Sequence, residues 1–201
     1  MRRVDPVKHE EKKQEILAAA RRCFIRNGFR GASIADICAE AGISPGHLYH
    51  YFPSKEAIVA AMGTVALNTG AAQFGELMEG SHALAALASV IEHAKNRNLR
   101  DDFVLILEIL TEAGRNPKLA KILQEQSRKV RAILAEFLRK SQADGLIDPG
   151  LDPDAASAIL FGLLDGARMM AVRDPKIDMT RILDHMKILV GRFLLPPRPA
   201  P

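Results

Sequence analysis

Three observations predict an all-α fold for this 201-residue chain. Apolar residues recur three and four apart in each long segment, which is the repeat of one helix face. No stretch alternates apolar and polar residues between turn signals, so strands are not expected. Ser, Asp, Asn, Gly and Pro stand where helices start and stop.

The first helix is expected from about Lys8 to Arg26, with Ile16, Leu17, Ala20, Cys23 and Phe24 as its apolar stripe and Lys12, Lys13, Arg21 and Arg22 on the wet side. Asn27-Gly28 ends it. Ser33 then caps a second helix from Ile34, and Asp36 three residues later reaches back to it as in a capping box. Ile37, Cys38 and Ala41 share one face of that helix, and Gly42 supplies the left-handed exit. Ile43 plugs the turn, Ser44 caps a third helix, and Pro45 takes its first position, where a missing N–H costs nothing. Leu48 and Tyr51 point inward. Gly46, His47, Tyr49 and His50 remain outward on a helix about two turns long. Phe52-Pro53 breaks it, and Ser54 caps the next helix with Lys55 in its first turn. Two short helices at this spacing form a helix-turn-helix, whose second helix enters the major groove with its N-terminal residues against base edges.

The stretch FIRNGFRGASIADICAEAGISPGHLYHYFPSKEAI follows the pattern of the TetR family (TetR/AcrR type) of bacterial transcriptional regulators almost position for position, and the likeness covers residues 12–60. The rest of the chain is similar only in outline. The resemblance implies an N-terminal three-helix DNA-binding domain and a larger C-terminal helical domain that dimerises and holds a small-molecule inducer. It implies Ser33, Ser44, Gly46, His47, Tyr49, His50 and Lys55 as DNA-facing positions.

The expected division is residues 1–54 for the helix-turn-helix domain, 55–195 for the ligand-binding and dimerisation domain, and 196–201 for a disordered Pro-rich tail. Beyond Lys55 every recognisable element reads as a helix: 55–79, interrupted by Gly63 and Gly70; 81–96; and 101–113, apolar nearly all round as the middle of a bundle requires. A break at Gly114–Pro117 precedes a long helix from Lys118 to Ala143. Asp152, just before Pro153, opens a helix to about Val172. The last helix starts at Asp178 or Met179. Small Ala156, Gly162, Gly166 and Ala171 among apolar neighbours let two such helices from each subunit pair as a four-helix interface. A dimer also doubles the few bases that one short recognition helix reaches.

An inducer pocket is expected among the central helices, between about Met62 and Met170, with Met62, Leu77, Met78, Phe103, Leu107, Leu110, Thr111, Leu123, Gln126, Phe161 and Met169 as candidate linings. The chain has no Trp and only two Tyr, so an aromatic cage for a quaternary cation is not expected. An apolar or weakly polar organic ligand fits better.

Residues 1–60 hold 10 Lys and Arg against 7 Asp and Glu, leaving 18 against 17 for the remainder. The basic excess lies with the DNA motif, and Arg2, Arg3 and Lys8 form a loose basic arm there. The excess is modest, so helix N-termini and hydroxyls must supply much of the phosphate contact. No apolar run reaches the ~20 residues that span a bilayer, and the N-terminus lacks the apolar core of a signal peptide. A cytoplasmic protein without membrane contact is expected. Cys23 and Cys38 then read as inert core thiols.

Metal sensing is the alternative reading, from His47 and His50 on one helix turn and from His82, His93 and His185 further on; none of these groupings supplies a ligand set. Enzyme chemistry is not expected. Glu108, Glu112 and Asp165 are the acids a catalyst would use, yet there is no phosphate-cradling glycine loop and no nucleophile motif, and Asp165 with Arg168 reads as a pair within one helix. No cofactor is implied.

Overall fold

The computed structural model describes residues 5–78, 88–89, 91–92 and 99–196, apart from the side chains of 70–78 and 99. Among the described residues the chain is all-helical: α1 (Pro6–Gly31), α2 (Ile34–Ala41), α3 (Pro45–Tyr51), α4 (Lys55–Met78), α5 (Leu99–Ala113), α6 (Pro117–Ala143), α7 (Pro153–Arg173) and α8 (Met179–Leu194). The Arg2 and Arg3 arm, the side chains of Leu77 and Met78, most of the expected 81–96 helix with His82 and His93, and tail residues 197–201 lie outside the described residues.

Helix α1 starts two residues before the expected Lys8, because Asp5 accepts a hydrogen bond from the Val7 amide and Pro6 takes the first position. Its break falls where Asn27-Gly28 predicts it: Gly28 has φ 71° and ψ 163°, and one further turn follows the kink. Helices α7 and α8 begin at the Asp152 and Asp178 caps.

By its contacts the chain divides into two compact units, Met1–Ala66 with Val104–Gln126, and Leu67–Phe103 with Ser127–Pro201. In the first, Ile16, Cys23 and Phe24 of α1, Ile37 of α2, Leu48 of α3 and Ile58 of α4 are fully buried, joined by Ile109 of α5 and Leu119 of α6. Each such side chain contributes about 1.5–3 kcal/mol of burial. The three N-terminal helices therefore share their core with residues more than fifty positions downstream. Polar contacts reinforce that arrangement. Asn116 caps α6 through the Lys118 and Leu119 amides at 3.1 and 3.2 Å, and its amide donates to Glu56 Oε1 at 2.9 Å. Burial pushes the Glu56 carboxyl up, but its hydrogen bonds with the backbone, Asn116 and Ser54 bring it below its ordinary value. The Gln126 amide donates to the Ala60 carbonyl at 3.1 Å. A Cβ at Gly63 would collide with that amide, so the glycine leaves room for the Gln126 side chain against α4.

The second unit buries Leu134, Phe137 and Leu138 of α6, Ala156, Leu160, Ala167 and Ala171 of α7, and Leu183, Met186, Val190 and Leu194 of α8. Gln142 holds the α6–α7 loop by donating to the carbonyls of Asp148 and Leu151 at 2.9 and 2.8 Å.

Helix α7 corrects the expectation that no apolar run is long enough to span a bilayer. It is long and apolar enough to cross one by length and composition, with mean hydropathy 1.4 over an 18-residue window. Asp165 and Arg168 lie within this apolar stretch and pair with each other at 2.8 Å. Only 28% of that window is buried. Besides the side chains packed into its own core, α7 exposes Ile159, Met169 and Met170, and α8 adds Ile182, Ile188 and Leu189.

Candidate nucleic-acid interface

The geometry of the helix-turn-helix follows from its caps. Ser33 Oγ accepts from the Asp36 amide at 3.0 Å while Asp36 Oδ2 accepts from the Ser33 amide at 2.8 Å, which completes the capping box. The Ser33 hydroxyl also donates to Asp36 at 2.6 Å, and these bonds hold the Asp36 carboxyl below its ordinary value. Gly42 adopts φ 63° and ψ 37°, and the Ile43 amide donates back to the Cys38 carbonyl at 3.0 Å. Ser44 Oγ accepts from the His47 amide at 3.3 Å and starts α3. With Leu48 fully buried, Gly46, His47, Tyr49 and His50 are turned outward, Tyr49 being 52% exposed.

A carboxylate ties α1 to α2. Glu40 accepts from Arg22 Nε at 2.7 Å and from Arg26 Nη2 at 3.0 Å. Those bonds hold its carboxyl below the ordinary value of 4.5. A lowered folded-state value means that the contribution to stability is present above about pH 4.5 and is lost as pH falls through the folded value. Glu40→Gln should melt modestly below the parent at pH 7, and the gap should close on acidification below about pH 4.5, checked by thermal melts across pH. A gap independent of pH would show that the ion pairs contribute nothing.

Four aromatic rings meet beside α3. Tyr51 is stacked by His9 of α1 (centroids 4.6 Å apart, planes at 24°), and His47 and His50 lie 5.4 and 5.5 Å from it. Tyr51 is half-buried on its inner side, as its inward position predicts. Nothing in the sequence marks His9, which stands forty residues away. Among the described residues no three or more His, Cys, Asp or Glu side chains converge as possible metal ligands.

Lys55 is placed differently from the other six candidates. Its Nζ donates to the carbonyls of Phe29 and Ala32 at 2.8 and 2.9 Å, lies 3.5 Å from the Arg30 carbonyl, and sits 4.8 Å from the centre of the Phe29 ring. The ammonium thus closes the C-terminal end of α1, where carbonyls lack helical partners and the helix dipole favours a cation. Cys23 and Cys38 are buried, and burial pushes both thiols up, away from the reactive thiolate.

The expected ligand-lining residues are divided between the units, with Met62, Leu107, Thr111 and Gln126 in the first and Phe103, Phe161 and Met169 in the second. Phe103 is buried, Met62, Gln126 and Phe161 are half-buried, and Leu107, Thr111 and Met169 are exposed.

A capped helix-turn-helix with an outward polar recognition helix, continued by a helical domain, defines a DNA-binding regulator of transcription. Residues 16–62 match the family model of bacterial regulatory proteins, tetR family, and residues 82–195 match that of the BetI-type transcriptional repressor, C-terminal. The HTH-type transcriptional regulator UidR of Escherichia coli K12 is 34% identical over 151 residues, covering 75% of this chain and 76% of UidR. The solved structure of Salmonella enterica GusR has a TM-score of 0.74 at 28% identity, over 90% of this chain and 96% of that one. Bacillus subtilis FadR, solved in complex with stearoyl-CoA, has a TM-score of 0.70 at 24% identity over 89% of this chain and 97% of its own, a likeness that shows the fold alone. The chain belongs to the TetR family of transcriptional regulators.

Proposed function

We propose that the protein is a homodimeric repressor that occupies an inverted-repeat operator through two copies of α3 and leaves it when an apolar or weakly polar organic ligand binds. The observation that carries the DNA-reading part is the outward front of α3, where Gly46, His47, Tyr49 and His50 are exposed around one buried anchor, Leu48. Ser44, at the start of α3, can donate its hydroxyl to a phosphate while its oxygen caps the helix, whereas the Ser33 O–H already donates to Asp36 and would have to leave that bond to meet one. Lys55 is omitted from this surface, because its ammonium is engaged by carbonyls.

The exposed apolar face of α7 and α8 supports the dimer. Ile159, Met169, Met170, Ile188 and Leu189 are each more than a third exposed, and a Cβ at Gly162 or Gly166 would meet nothing within 4 Å. Large side chains beside open glycines are what a second helix pair needs for close approach. It also accounts for the membrane-like hydropathy of α7, one face serving its own core and one a partner copy. Recognition helices ~34 Å apart would then meet successive major grooves of one operator.

The ligand reading rests on Met62, Phe103, Leu107, Thr111, Gln126, Phe161 and Met169 and on the scarcity of Trp and Tyr. The ligand acts by population shift: it lowers operator affinity by its preference for the conformation with wrongly spaced recognition helices, and by no more.

Selection of bound sequences from a random duplex pool, repeated at raised salt, tests the proposal. Enrichment of one inverted repeat is expected; sequence-blind, salt-sensitive retention would mean that only the backbone is bound. With the operator known, His47→Ala should change base preference at one position of each half-site, at about 1–3 kcal/mol per base. Tyr49→Phe should weaken binding to all sequences alike if its hydroxyl meets a phosphate. Equal operator affinity for parent and Y49F removes Tyr49 from the surface.

A further inference from the structure

We infer that His9, on the first turn of α1, is a positioning residue for the recognition helix, acting through Tyr51. Helix α3 has seven residues and a single wholly buried side chain, Leu48. Leu48 and, just past the end of the helix, the buried Phe52 hold α3 along one line about which it can still roll, and roll decides where its outward side chains aim. Tyr51, the last residue of α3, offers a further point of restraint. Its inner side packs against the core of the first unit, and the His9 ring stacks on it with centroids 4.6 Å apart and planes at 24°. His9 also meets the His50 ring edge-on at 6.1 Å. Its neighbours Lys8, Glu10 and Glu11 are exposed, whereas His9 is half-buried. The Tyr51 ring that His9 holds is also the ring that His47 approaches to 5.4 Å from within α3. One stack therefore restrains both histidines that the operator-reading surface presents.

A stack of two flat rings is worth more than the area it buries, and a dimer contains two, one per half-site. His9→Ala should lower affinity for the selected operator by about tenfold, leave affinity for an unrelated duplex unchanged, and broaden base preference at the positions read by α3. Alanine is the best helix former, so α1 should stay intact, which a thermal melt of the variant checks. His9→Phe keeps a flat ring without a charge or a donor and should restore operator affinity to within about twofold of the parent.

The inference rests on the reading of α3 as the operator-binding helix, and the arms separate the two. A parent protein that selects no sequence overturns that reading and this one together. A parent that selects an operator, with His9→Ala binding it equally well, overturns the role of His9 alone. If His9→Lys restores affinity and His9→Phe does not, His9 touches a phosphate directly and the positioning role is overturned.

Discussion

Leu189→Glu is expected to leave the chain folded but monomeric, and to weaken operator binding by about a hundredfold or more, since losing the second half-site removes half of the contacts. Leu189 is 54% exposed and Ile188 beside it 52%, so a carboxylate here meets water in the single chain and costs little. In a four-helix interface the same carboxylate loses its water without a partner, and an unpaired buried charge is among the most destabilising changes available. Alanine would be a weaker test, because it removes only contact area. Sedimentation reports the mass, a thermal melt the fold, and titration of the operator the affinity. A variant that remains dimeric places the interface elsewhere.

Lys55→Met separates a helix-closing task from a phosphate-contacting one. Methionine keeps an unbranched apolar stem and removes the ammonium that closes the end of α1. Two well-made charge-assisted bonds, to Phe29 and Ala32, are lost, and a stability loss of about 2 kcal/mol is expected after discounting for partial exposure. The slope of log affinity against log salt should stay that of the parent. Were Lys55 to neutralise a phosphate in each half-site, that slope would become shallower by roughly 0.9 per contact, with stability unchanged. The two outcomes exclude each other.

The local grammar of the motif was legible because each signal acts within four residues. Ser33 with Asp36, Gly42, Ser44 with Pro45, and the outward set of Gly46, His47, Tyr49 and His50 all depend on neighbours along one turn, and each stands as its spacing implies. The Asn27-Gly28 break was legible for the same reason. Asp5-Pro6 carried an equally local signal that went unread. The apolarity of α7 was less legible, since the charged pair Asp165–Arg168 divides its apolar residues along the sequence.

The helices, their caps and the outward face of the recognition helix thus follow from short-range hydrogen bonding and the 3.6-residue repeat, which the order of residues states directly. Lys55 on the α1 carbonyls, His9 on Tyr51, Gln126 over Gly63, and Ile109 and Leu119 in the core beneath the motif are pairings across roughly twenty to seventy positions. Such contacts depend on which helix faces meet after packing. A helical period says that a face is apolar or polar without saying what covers it, so these partners, and with them the supports of the recognition helix, emerge when the chain is folded.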